Sequence, residues 1–242
     1  MHEYVLHSQV PAARHEQVLN ILSSYTAMPP VSVYDQTLIY AQRKLVESSL
    51  KKKQQQPSVN QGGLAPQLQY RKLVRDLHVP ADRVRDGTAG PWKLRAEELP
   101  QAGIMTVTSR PINETPIEAK ELEKFREGGE NYKYVNQFFA QGHRFIHNNI
   151  IVRLTRILTV PEGTGALEPL DAPIPHLPDC RPLDPSGAYL VEVCVRVADA
   201  SQSEVVAMAK NELDEFRKAM EGAIDLKIPS RLSMDPRVKG QS

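Results

Sequence analysis

The sequence predicts an α+β, mainly β fold: a single antiparallel barrel of about eight strands with flanking helices. Three observations lead there. Short runs rich in β-branched and aromatic residues recur along the chain, several alternating apolar and polar positions with the period of a half-buried strand. Two amphipathic helical segments, one near each end, offer an apolar stripe for packing on a sheet. The strands are long with few natural edges, and closure is the arrangement that abolishes edges.

Val5–Val10 reads as the first strand, and Pro11 stands where proline suits the first turn of a helix. That helix runs to about Tyr25, with Val18, Ile21, Leu22 and Tyr25 on one face. Met28, Pro29 and Pro30 end it. Residues 31–44 mix Val31, Val33, Tyr34, Thr37, Leu38, Ile39 and Tyr40, a strand expected to kink at Asp35. Further strands are expected at 68–74, 92–97 and 104–111, then a charged helical stretch from Pro116 to Gly128. Residues 132–147 and 150–160 form the clearest pair, joined at Asn148-Asn149, because asparagine tolerates the positive φ of a tight turn. Gly142 inside the first reads as a bulge or barrel corner.

The last strand, Tyr189–Val197, places Tyr189, Val191, Val193, Val195 and Val197 on one apolar face, with Leu190, Glu192, Cys194 and Arg196 on the other. A final helix is expected from Ser201, with Glu204 completing a capping box. Its stripe of Val206, Ala209, Leu213, Phe216, Met220 and Ala223 is expected to pack on the protein's own sheet. A sustained coiled coil needs more heptads than this.

Two segments break the pattern. Residues 47–67 hold three consecutive lysines and three consecutive glutamines with almost nothing to bury, and read as a disordered polar and basic loop. Residues 161–187 hold seven prolines and read as a Pro-rich irregular connection, since each proline removes a backbone donor. Setting both aside leaves 194 of the 242 residues, about 1.3 average domains of roughly 150 and within the range of one closed barrel with helices. Residues 1–242 are therefore read as a single barrel domain.

Composition limits the function. Thirty basic and 29 acidic residues give a net charge of +1, which argues for neither nucleic acid nor an anionic membrane. The charge is uneven: Arg43 to Arg95 is strongly basic and the rest mildly acidic. Two cysteines are too few to staple the chain, the amino terminus does not read as a signal peptide, and no apolar run approaches the ~20 residues of a membrane span. A reducing compartment, cytosol or nucleus, is expected.

Candidate chemistry is thin. His143 and His147 have the spacing of two ligands on a helix, but on a strand they would stand roughly 13 Å apart, too far to share an ion. Cys180, Cys194 and His176 lack a fourth ligand at a sensible spacing. Gly163-Thr-Gly165 is followed by a proline where a nucleotide-binding helix would begin. A barrel that hydrolyses triphosphates needs a string such as Glu-x-Glu-x-Lys on a strand. The nearest, Glu121-Leu-Glu123-Lys124, lies in a helical surface segment, and Glu192 has no acid two positions away, so a carboxylate cluster able to bind a divalent ion is not expected. Lys51–Lys53, Arg71, Lys72, Arg75, Arg83, Arg85, Lys93 and Arg95 could touch phosphates nonspecifically, but without interleaved aromatics they read as a solvated basic segment. No catalytic, cofactor-binding or metal-ligating residue is assigned.

Several stretches taken together resemble a known family: MHEYVLHSQVPAARHEQVLNILSSYTAMPP at the start, PWKLRAEELPQAG at 91–103, YKYVNQFFAQGHRFIHNNIIVRLTRIL at 132–158 and RLSMDPRVK at 231–239. They resemble, collinearly, the fungal form of the Mediator of RNA polymerase II transcription subunit 18 family. The resemblance implies an antiparallel barrel shaped like the triphosphate-tunnel enzymes but used as a scaffold. It implies a noncatalytic subunit of the Mediator coactivator head module in the nucleus, linking regulators to RNA polymerase II directly or indirectly. The implied partners are Mediator subunit 20, a second barrel, and the carboxyl-terminal helix of Mediator subunit 8; no membrane, specific nucleic acid or cofactor is implied. It assigns no contact residues. The competing reading is a triphosphate-tunnel-type phosphohydrolase, which an apolar lumen would exclude.

Overall fold

The computed structural model describes residues 1–43, 68–77, 90–102, 106–126, 131–160, 169–172, 174–175 and 179–238. The loop expected at 47–67 lies outside them, as does much of the connection 161–187. Among the described residues the strands are β1 (His2–Val10), β2 (Val31–Gln42), β3 (Tyr70–Asp76), β4 (Lys93–Glu97), β5 (Thr108–Pro116), β6 (Tyr132–His147), β7 (Ile150–Thr159), β8 (Arg181–Pro182) and β9 (Tyr189–Val197). The helices are α1 (His15–Thr26), α2 (Ala119–Leu122) and α3 (Ser203–Ala219).

All pairings are antiparallel, in the order β6-β2-β3-β4-β5-β1-β9-β7, and the β6–β7 ladder closes this ring into an eight-stranded barrel. The two-residue β8 adds to β7 within the Pro-rich connection. Closure satisfies every strand edge without an added layer.

Most of the apolar packing lies outside the barrel. On β9, Val191, Val193, Val195 and Val197 face outward and are buried with Tyr4, Leu6 and Val10 of β1, Val18 and Leu22 of α1, and Ala209, Leu213 and Phe216 of α3. The stripe expected to pack on the protein's own sheet does so, continued past the helix by Met220. A second outer cluster joins Leu38, Tyr40, Leu73, Trp92, Ile117, Phe125 and Leu170. A third, smaller one holds Phe139, Leu158 and Cys180.

Five expectations are corrected. The irregularity of β2 and β6 is not at Asp35: the register shifts between Ile39 and Tyr40, where Asn136 and Tyr134 are the successive partners and Val135 is the extra residue. Gly142 is not the bulge. A Cβ there would lie 2.0 Å from the Leu154 carbonyl oxygen, so the β7 backbone comes too close for any side chain. Strand β5 does not stop at Pro111, because pairing with β4 carries it on to Pro116. The capping box at Ser201 does not form: α3 begins at Ser203 after Gln202, without a side-chain cap, and the Ser201 amide donates to Asp199 Oδ1 instead. The helical stretch after Pro116 is also short, one α turn and a 3-10 turn pinned by buried Phe125. At the hairpin, Asn148 takes the positive φ, 53°.

Candidate functional site

Alternation along each strand sends every second side chain into the barrel. In β1 these are Glu3, Val5 and His7, opposite Arg196, Cys194 and Glu192 of β9. On the other side of β1, Arg110 of β5 faces Glu3. Strand β4 contributes Arg95 beside Lys72 of β3 and Glu114 of β5. Asp35 of β2 and Arg153 of β7 complete the wall. The lumen is ionic rather than apolar.

Its centre is Glu3, whose side chain has no exposed surface. Arg110 Nη2 donates to Glu3 Oε2 at 2.8 Å, and Arg95 Nη2 donates to the same oxygen at 3.0 Å. Arg196 Nε reaches Glu3 Oε1 at 3.3 Å. Glu97 accepts from Arg95 Nε at 2.7 Å, Lys72 Nζ at 2.8 Å and Arg110 Nη1 at 2.9 Å. Glu114 accepts from Arg95 Nη1 at 3.2 Å, and Arg196 Nη1 lies 3.5 Å from it. Arg95 thus touches three carboxylates, and each of them has at least two cations.

The electrostatics follow from that saturation. Burial pushes the Glu97 carboxyl up, but Lys72, Arg110 and Arg95 outweigh it and hold the group down at about 2. Burial likewise raises Glu192, and nearby His7 (3.4 Å), Arg153 and Arg95 bring it to about 2. The Cys194 thiol is pushed up to about 12 by burial and by Glu3 and Glu192. A thiol held that high is a poor nucleophile at neutral pH.

Two adjoining cavities of about 430 and 500 Å³ occupy the lumen and share Arg95 and Glu192. The carboxyl-terminal motif crosses one end: Ser233 to Pro236 line the smaller cavity. Tyr70 N–H donates to the Pro236 carbonyl at 2.7 Å, Val238 N–H to that of Leu68 at 2.9 Å, and Arg231 Nε to that of Pro100 at 2.7 Å.

The residues weighed from sequence are scattered. His143 and His147 face outward from β6, the first 5.6 Å from the His15 ring and the second 4.9 Å from that of Tyr25. Burial lowers the pKa of both His15 and His143, and for His15 the neighbouring His143 and Arg156 add to it. Cys180 sits in the third outer cluster and Cys194 in the lumen, while His176 and Gly163–Gly165 lie outside the described residues. Glu121 and Glu123 pair with Lys124 and Arg126 on the surface. Of the basic segment, Lys72, Lys93 and Arg95 line the lumen; Arg75 borders it too, with its guanidinium stacked over Trp92, 4.4 Å from its ring.

What the sequence reading missed is that single acids on five strands converge. The carboxylates do gather, but arginines gather with them, so the gathering is not the metal-binding cluster that was weighed. The tell-tale string was sought within one strand, and β1 itself presents only Glu3, Val5 and His7 inward. Among the described residues, no group of three or more His, Cys, Asp or Glu is arranged to hold a metal ion. A divalent cation needs several oxygen atoms free to coordinate it, and here guanidinium groups already occupy them.

Comparison with known proteins agrees with this architecture. The chain is 28% identical to Mediator of RNA polymerase II transcription subunit 18 of Aspergillus fumigatus, over 99% of this chain and all of that protein. The subunit of the same name from Yarrowia lipolytica is 21% identical over the same shares. A chain in the structure of the Schizosaccharomyces pombe Mediator head module superposes with a TM-score of 0.68 at 19% identity, covering 95% of this chain and 99% of that one. That likeness shows the fold. The family model described as Med18 protein matches residues 2–237, and the chain therefore belongs to the Med18 family.

Proposed function

We propose that this protein is a noncatalytic scaffold subunit of the Mediator head module, working in the nucleus and linking regulators to RNA polymerase II. The observation that carries the reading is the neutralised tunnel. Glu3, Glu97 and Glu114 are each held by two or more cations of the same wall, so neither acid nor base is left over at the centre for a metal–triphosphate. The lumen is not apolar, which removes one simple argument against a phosphohydrolase, but its pairing supplies a stronger one. Similarity to Mediator subunits over nearly the whole chain supports the same reading.

In this reading residues 1–242 act as one barrel domain. Apolar surface of the barrel is buried against the barrel of subunit 20, and a groove takes the carboxyl-terminal helix of subunit 8. Co-expression with subunit 20 and that helix tests it. A ternary complex that survives gel filtration is expected; free barrel eluting alone would overturn the partner assignment. Metal-dependent release of phosphate from a nucleoside triphosphate by the purified chain would overturn the noncatalytic one.

A further inference from the structure

The larger cavity, of about 500 Å³, is ionic at depth but different at its mouth. Inside, Asp35 is paired with Arg153, Glu114 with Arg95 and Arg196, and Glu192 sits beside His7; Asp76 is engaged as well. At the mouth, Arg144 lines the cavity, is exposed, and has no hydrogen-bond or ion-pair partner among the described residues. Lys93 lines the same cavity and is half exposed, its Nζ 3.8 Å from Glu114, a loose contact. The same face carries aliphatics. Val31 is the β2 partner of Arg144 and is 37% exposed. Ile146, two residues along from Arg144 and 45% exposed, pairs with Ile151, which lines the cavity.

An unpaired guanidinium and a loosely paired ammonium beside exposed aliphatic side chains match one ligand chemistry. We propose that this mouth docks an acidic peptide segment bearing bulky apolar residues, its carboxylates meeting Arg144 and Lys93 and an apolar side chain lying against Val31, Ile146 and Ile151. Charge complementarity selects the acid, and the aliphatic rim selects the apolar partner. A nucleic acid fits less well. The exposed rim residues Val31 and Ile146 offer no aromatic face on which a base could stack. The proposal rests on this mouth alone and does not depend on the pairing with subunits 20 and 8.

Fluorescence anisotropy on the full chain tests the proposal, with a short fluorescein-labelled peptide of Asp, Glu, Leu and Phe as probe. Comparison probes replace its acids with Lys, replace Leu and Phe with Ser, or substitute labelled oligouridine. The acidic apolar peptide is expected to bind and to weaken as salt rises. Arg144→Glu is expected to weaken it roughly tenfold, Ile146→Ser by about threefold or more, and Arg126→Glu, on a different part of the surface, not at all. Arg144 and Ile146 are exposed, and circular dichroism verifies that their variants fold. Absence of binding, equal binding of the Lys peptide, indifference to both mouth variants, an equal loss with Arg126→Glu, or tighter binding of oligouridine through Arg144 would each overturn the proposal.

Discussion

On β9, Val193 faces the helices and is buried among aliphatic side chains, while its neighbour Glu192 faces the tunnel, a histidine and arginines. The same alternation divides the whole barrel into two interiors. The outer one, under α1 and α3, is apolar and stabilises by removing hydrocarbon from water. The inner one is a network of charges, where desolvation consumes most of the Coulombic gain, so its net contribution is small even though losing one member is costly. The outer face makes the protein stable; the inner face holds eight walls at fixed separations without a hydrocarbon filling.

That division can be broken by experiment. Phe216→Ala, emptying a site 1% exposed between α3 and the sheet, is expected to cost about 3–5 kcal/mol in urea denaturation. A loss below about 1 kcal/mol would show that the helical side is not the source of stability. Glu3→Gln is expected to cost about 3 kcal/mol, because it leaves Arg95, Arg110 and Arg196 facing a neutral amide. A double-mutant cycle with Arg110→Met sharpens this, with a coupling of at least about 1 kcal/mol expected. Simple additivity would mean that the pair is not an interacting unit.

Acid probes the inner face through Glu97. Glu97 is depressed to about 2 in the folded protein, below its unfolded value of about 4.3. Its contribution is therefore fully present above about pH 5 and fades as pH falls toward 2. The stability gap between the native protein and Glu97→Gln should narrow over that window, and a constant gap would refute the assignment. Arg231→Ala, which removes the donor to the Pro100 carbonyl, should cost about 1 kcal/mol by thermal melting. Lys124→Ala, breaking a 3.8 Å pair between half-exposed side chains, should stay within about 0.5 kcal/mol. A larger effect would show that surface pairs matter as much as tunnel pairs.

Much of the outer architecture was legible in the sequence. The valine alternation of β9, the stripe of α3 and the Asn148-Asn149 hairpin are local patterns, and local patterns survive into the fold because burial acts on each face separately. Boundaries were less legible. Ser201 has the form of a cap, but Asp199 offers its amide a nearer acceptor. Pro111 looks like a terminator, yet β4 continues the ladder past it.

The tunnel was not legible. Glu3, Glu97, Glu114 and Glu192 each stand alone on their own strands, and their partners lie up to 193 positions away, as Arg196 does from Glu3. The sequence by itself determined which residues would alternate, which faces would be apolar, and to which family the chain is similar. Only the tertiary structure decided that the polar faces point at one another, since ring closure and register bring separate strands together at hydrogen-bond distance. Charge pairing is a property of three-dimensional neighbours, and spacing along one strand does not encode it.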